Sequence, residues 1–235
     1  MEKIIHFLDK KKNTIIKGFL IFLLFYYGAY LQYIPVYLFH LDVKSLSGEW
    51  KVLLSAFSSI VLMFIFFFVY RKDLKKDFKT FRSHLVECLD TGIVCWICGL
   101  GIMMVTNVII TLIFHAGGAA NEKLVQEMIH TLPWLMVINA GFVAPFNEEI
   151  VFRKTLHDIF GKNKWIFIGL SFLLFGGAHV IEVAKVWTDY LYIIPYGALG
   201  ASFAVAYYKT DTVFTSMSLH MFHNTALILL SLIAL

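Results

Sequence analysis

The stretch GFVAPFNEEIVFRKTL, Gly141 to Leu156, places two glutamates and an arginine in a run otherwise apolar enough to lie in a membrane. A charge at the bilayer centre costs roughly 2.5–3.5 kcal/mol on insertion scales, so Glu148, Glu149 and Arg153 together ask for about 8–10 kcal/mol before compensation. In a helix, residues i and i+4 share a face while neighbours point about 100° apart. Glu149 therefore lies over Arg153 and can pair with it, whereas Glu148 points elsewhere as an unpaired carboxylate. One buried ion pair serves packing as readily as function. A second glutamate beside it, left without a cation, points to chemistry.

Working outward, the chain has 59% hydrophobic, 17% aromatic and 15% charged residues with a mean hydropathy of +0.75, far from the averages of a soluble domain. This composition specifies an all-α, polytopic membrane helix bundle. Uncharged runs long enough to span the hydrocarbon occupy 18–39, 52–70, 91–114, 190–208 and 212–235. Two more, 132–160 and 165–181, carry the polar residues of interest, for about seven transmembrane helices. The first run is too long for a signal-peptide core and lacks a small-residue cleavage site after it, so it is expected to stay as an anchor. Residues 1–17 form a basic interfacial lead-in, with Ile4, Ile5, Phe7 and Leu8 interleaved with charge; 18–235 are expected to form a single membrane domain.

Basic residues set the orientation. With the N-terminus cytoplasmic, the inside segments hold Lys3, Lys10, Lys11, Lys12, Lys17, the six from Arg71 to Arg82, Arg153, Lys154, Lys162, Lys164 and Lys209. Only Lys44, Lys51, Lys123 and Lys185 fall outside. With this positive-inside bias, the odd count of seven spans puts the C-terminus outside. The net charge of +4 is accordingly a matter of topology and contact with anionic lipid, not of nucleic acid. The segment RKDLKKDFKTFRSHLVE, 71–87, is expected to be a solvated, topology-setting loop, and 117–131 a short external helix with Pro133 opening the next one. Three cysteines cannot all pair. Cys95 and Cys98, one turn apart within a span, are expected on one face as small packing residues, and Cys88 as a lone cytoplasmic thiol.

Two further polar points lie in the later spans. In FLLFGGAHV, Phe175 precedes His179 by four residues and can buttress its ring, while Gly176 and Gly177 let another helix approach. In SLHMFHNT, His220 and Asn224 share a face at i and i+4, with His223 about a turn away. Each taken singly is ordinary interhelical polar glue. Counted from the expected cytoplasmic ends at 1.5 Å per residue, however, Glu148, His179, His220 and Asn224 fall about 18, 21, 14 and 20 Å deep. They converge on one layer, which favours one site.

A carboxylate and a histidine can hold and deprotonate a water, and further donors can stabilise an oxyanion, so the set suits water attack on a carbonyl. Ser216 and Ser218 lack a glycine elbow, which disfavours a serine nucleophile. Taken together the motifs resemble those of the CPBP intramembrane proteases, the CAAX protease and bacteriocin-processing or Abi family. Their Glu-Glu-x-x-x-Arg, Phe-x-x-x-His and His-x-x-x-Asn pattern corresponds to Glu148-Glu149 with Arg153, Phe175 with His179, and His220 with Asn224. The resemblance covers about residues 130–235. It implies an endopeptidase in which Glu148 and His179 activate water, His220 and Asn224 form the oxyanion site, and Glu149, Arg153 and Phe175 support them. It also implies a metal-independent, glutamate-type mechanism without cofactor, with zinc on Glu148, His179 and His220 as the alternative. A non-catalytic immunity or regulatory factor is the rival from another class. A transporter fits less well, because no internal repeat accompanies the buried charges. The expected substrate is a hydrophobic or membrane-associated peptide or protein, such as a peptide precursor or one tied to bacteriocin immunity. Short loops and 235 residues point to a bacterial cell membrane.

Overall fold

The computed structural model describes residues 2–233, with side chains described from Lys11 onward. The apolar side chains expected to lie on the inner leaflet, Ile4 to Leu8, and the last two residues of the run 212–235 thus lie outside the described residues. Helix α1 (Glu2–Tyr27) continues through a 3-10 turn at Gly28–Gln32 into a short helix at Tyr33–Leu38. There follow α2 (Gly48–Ser83), α3 (Leu85–Phe114), α4 (Ala120–Thr131), α5 (Pro133–Phe160), α6 (Lys164–Val180), α7 (Ile193–Thr210) and α8 (Val213–Ile233). No strand occurs among the described residues, and the protein is a bundle of membrane-spanning helices. Six helical stretches are long and apolar enough to cross a bilayer, and α6, at 17 residues, is a shorter apolar helix.

Helix ends follow local chemistry. Ser47 caps α2 by accepting from the Trp50 N–H, Asn163 caps α6 by accepting from the Ile166 N–H, and Pro133 opens α5 where no N–H partner exists. The expectation for 71–87 is corrected: α2 runs unbroken to Ser83, so its 36 residues extend about 54 Å. Leu74 and Asp77 are buried, Phe78 and Phe81 pack on Phe214, and Asp77 caps the start of α8 by accepting from the Val213 N–H at 3.2 Å. Charges at helical spacing solvate one face and leave the other free to pack.

The core lies between α2, α5, α6, α7 and α8, where Phe66, Tyr70, Phe152, Phe167, Phe175, Tyr207 and Met217 interlock. Helix α7 packs between α3 and α6. A Cβ on Gly176 would sit 2.5 Å from the carbonyl oxygen of Ile193, so only glycine allows α6 this close to α7. The buried residues of α3 include Cys88, Gly92, Cys95 and Gly99, a stripe at four- and three-residue intervals. Cys95 therefore packs as expected, but Cys98 points away from the protein and Cys88 is buried rather than free in solvent.

Candidate active site

Helix α5 is not a regular α-helix. Wide π turns at Asn139–Val143 and Ile150–Thr155 bracket the regular segment Ala144–Glu149. Pro145 supplies no N–H to the helix ladder, which opens the first wide turn. In the second, Thr155 Oγ1 donates to the carbonyl of Ile150 at 2.9 Å and accepts from the Tyr70 hydroxyl at 2.7 Å. Glu148 and Glu149 thereby point to opposite tasks.

Glu149 is fully buried and faces inward to the bundle. Arg153 Nε lies 3.4 Å from its Oε2, as the i, i+4 spacing requires. The guanidinium, itself fully buried, is sandwiched between the rings of Phe175 and Phe203, with Cζ 4.4 and 5.5 Å from their centroids. Aromatic faces compensate a desolvated cation, and Arg is the residue suited to such stacking. The other oxygen of Glu149 accepts from His220 Nδ1–H at 2.9 Å. Glu149 thus ties α5 to α8.

Glu148 faces a cavity. Its Oε2 stands 3.9 Å from His179 Nε2 on α6 and 3.6 Å from His220 Nε2 on α8. His179 gives its Nδ1–H to the carbonyl of Phe175 at 2.9 Å and is held between two rings, Phe175 at 4.4 Å and Tyr196 at 4.8 Å. Phe203 stacks on His220 at 5.0 Å. With each Nδ1 hydrogen given to an acceptor, both histidines turn Nε2 towards Glu148. The three groups come from three helices, and the depth match read from sequence corresponds to real proximity.

Asn224 lines the same cavity, but its Nδ2 donates to the carbonyl of Ala140 at 2.9 Å, leaving one of its two hydrogens for a ligand. His220 likewise has its Nδ1–H engaged, so it donates into the cavity only when Nε2 is also protonated. The cavity measures about 590 Å³ and extends from Glu148 past Pro195, Leu199 and Leu227 to the cap helix α4, where Asn121, Glu122 and Gln126 line it. Sequence reasoning placed α4 but not its role as a wall of the cavity. It also passed over Asn147, buried beside Glu148 and donating to the Ser59 carbonyl at 2.9 Å, and the partner of His223 on α3. A third polar residue adjoining Glu148-Glu149 was the available signal for Asn147.

The fold and the site together define a polytopic membrane helix bundle in which one carboxylate and two imidazoles from three helices converge in a buried cavity. Residues 130–226 match the family model described as "Type II CAAX prenyl endopeptidase Rce1-like". Over 114 residues the chain is 30% identical to a Bacillus subtilis (strain 168) protein named "Putative membrane peptidase YdiL". That alignment takes in 48% of this chain and 43% of the relative, so the chain spans less than half of the relative's length. No solved structure matches. The resemblance to CAAX-type membrane peptidases drawn from the three motifs thus stands, and it resides in the half of the chain that builds the site.

Proposed function

We propose that this chain is an intramembrane endopeptidase that hydrolyses peptide bonds of a hydrophobic or membrane-associated substrate with water activated by Glu148 and His179. The observation that carries this reading is the 3.9 Å gap between Glu148 Oε2 and His179 Nε2. It is too long for a direct hydrogen bond but lets one water lie about 2.8 Å from both. Such a water gives its two hydrogens to the carboxylate and the imidazole and turns a lone pair to the cavity.

Charge counting assigns the rest. With both glutamates ionised, Glu148, Glu149 and Arg153 sum to −1, and one proton shared between Glu148 and His220 Nε2 makes the buried site neutral. On His220 that proton sits on Nε2, facing Glu148 and the cavity, while Nδ1–H stays on Glu149, so the Nε2–H and the free Asn224 hydrogen serve as donors to the oxyanion. In the attack Glu148 takes one proton while the second stays on the new hydroxyl, hydrogen-bonded to His179. The Glu148 proton passes to the leaving nitrogen as the C–N bond breaks, and the second proton follows through His179, so that the products are a carboxylate and an ammonium and both side chains are regenerated. Comparative peptidomics of cells carrying wild type or Glu148→Gln tests the proposal. Loss of specific cleavage products with normal protein level is expected; an unchanged peptide profile refutes it.

Zinc is a second reading, favoured by one observation: two histidines with Nδ1 held by a carbonyl and a carboxylate present Nε2 as ligands commonly do. Donor arithmetic favours the metal-free reading, because zinc would take the Nε2 lone pairs of His179 and His220 and leave Asn224 the evident oxyanion donor. Metal analysis of purified protein after long chelation separates the two, with full activity in metal-free protein expected. The distribution of basic residues supports an N-terminus inside and, with α6 as the seventh span, a C-terminus outside the membrane, and it draws anionic lipid to the inner face. Reporter fusions after Gly117 check this, and a cytoplasmic signal there reverses it.

A further inference from the structure

The chemistry above leaves one buried histidine unused. His223 lies three residues beyond His220 on α8, is 5% exposed, and lines the same cavity. Its Nδ1 stands 3.3 Å from Nε1 of Trp96 on α3, whose ring packs edge-on against it. An indole N–H can only donate, so Nδ1 must be the acceptor, and the neutral ring carries its hydrogen on Nε2. Among the described residues nothing accepts that hydrogen.

The three histidines of the cavity are thus set in two opposite ways. His179 and His220 donate through Nδ1 and turn Nε2 towards Glu148, whereas His223 accepts through Nδ1 and holds a fixed Nε2–H. Three residues of helix advance about 4.5 Å, which sets His223 that much farther along α8 than His220. A carbonyl whose carbon meets a water about 3 Å away holds its oxygen about 3.5 Å from that water, which leaves its second side open to a donor farther along the helix. The same stretch of α8 carries Asn224, with one amide hydrogen already spent on Ala140.

We propose that His223, fixed by Trp96 as the Nε2–H tautomer, donates a hydrogen bond to the scissile carbonyl oxygen as it becomes an oxyanion, beside the free hydrogen of Asn224. Trp96 is the positioning residue. The proposal rests on the peptidase reading, and its test has one arm that needs no substrate. Nitrogen NMR of histidine-labelled protein in nanodiscs is expected to show His223 with Nε2 protonated and Nδ1 bare, and to show this preference lost in Trp96→Phe. A His223 protonated on Nδ1 in the wild type overturns the proposal.

The second arm uses a fluorescence-quenched apolar peptide that the wild type cleaves and Glu148→Gln does not. His223→Phe, similar in size but without a donor, is expected to lower kcat about 10²-fold with KM changed by less than about twofold. His223→Gln, which keeps an N–H, should retain more activity than His223→Phe, and Trp96→Phe should lose roughly 3- to 10-fold. Unchanged kcat in folded His223→Phe, or an effect confined to KM, overturns the assignment. Should His223→Phe fail to fold, normal kcat in Trp96→Phe overturns it instead. A wild type that cleaves no peptide, or a Glu148→Gln variant that still does, removes the peptidase reading and this proposal together while leaving the tautomer result standing.

Discussion

Helices α3 and α5 both cross the membrane, yet 11% of the most apolar window is buried in one and 56% in the other. The more apolar of the two is the less buried. In a soluble protein the order would be reversed, because apolar surface leaves water by entering the core. Here lipid already solvates apolar side chains, so Met104, Val105, Val108 and Leu112 of α3 stay exposed, while one face, with the small-residue stripe, Trp96 and Ile110, meets the protein. The interior also takes what lipid cannot solvate: beside the buried rings of the core, Glu149, Arg153, Ser171, Thr215 and His220 are all nearly or fully inaccessible. Apolar residues in this protein face either lipid or core, whereas these polar ones are confined to the core.

The comparison breaks if buried polarity in α5 is dispensable. Arg153→Ala is expected to strand Glu149 as an uncompensated charge and lower stability by about 3–5 kcal/mol, seen as a sharp fall in membrane yield and thermal midpoint. Adding Glu149→Gln to that background should restore part of the loss, since the carboxylate is then gone. Normal yield for the single variant would mean that the ion pair has no structural weight. At the other end of the scale, Val105→Leu or Val108→Leu on the lipid face of α3 should change stability by less than about 0.5 kcal/mol. A larger drop there would point to an unrecognised partner covering that face.

This difference also explains what could be read without a structure. Composition and run length were sufficient for the helices, because a bilayer imposes span length on any chain that crosses it. The Glu149–Arg153 pair, the Phe175–His179 ring contact and the convergence of Glu148, His179 and His220 followed from helical spacing and depth. Hydrogen-bond direction did not. Whether His220 spends Nδ1 on Glu149, whether Asn224 spends its amide on Ala140, and which nitrogen of His223 is free depend on helices brought together from distant parts of the chain. The helical run through Arg71–Ser83 was hidden because charge density suggested a loop, although its apolar residues kept helical period. The two wide turns in α5 left no pattern, since one extra residue per turn is a property of backbone relief around Pro145 and Thr155 and not of composition.

The shortness of α6 has a consequence for the bilayer itself. Its 17 residues measure about 25 Å, against a hydrocarbon layer of about 30 Å. A helix that stops short cannot tilt its way out of the deficit; thinning of the bilayer around it is one way to meet it, at a fraction of a kcal/mol for each ångström. Thinning of that kind would fall beside the helix that ends one residue after His179, so hydrophobic mismatch would bring headgroups and solvent closer to the imidazole than the longer neighbouring helices do.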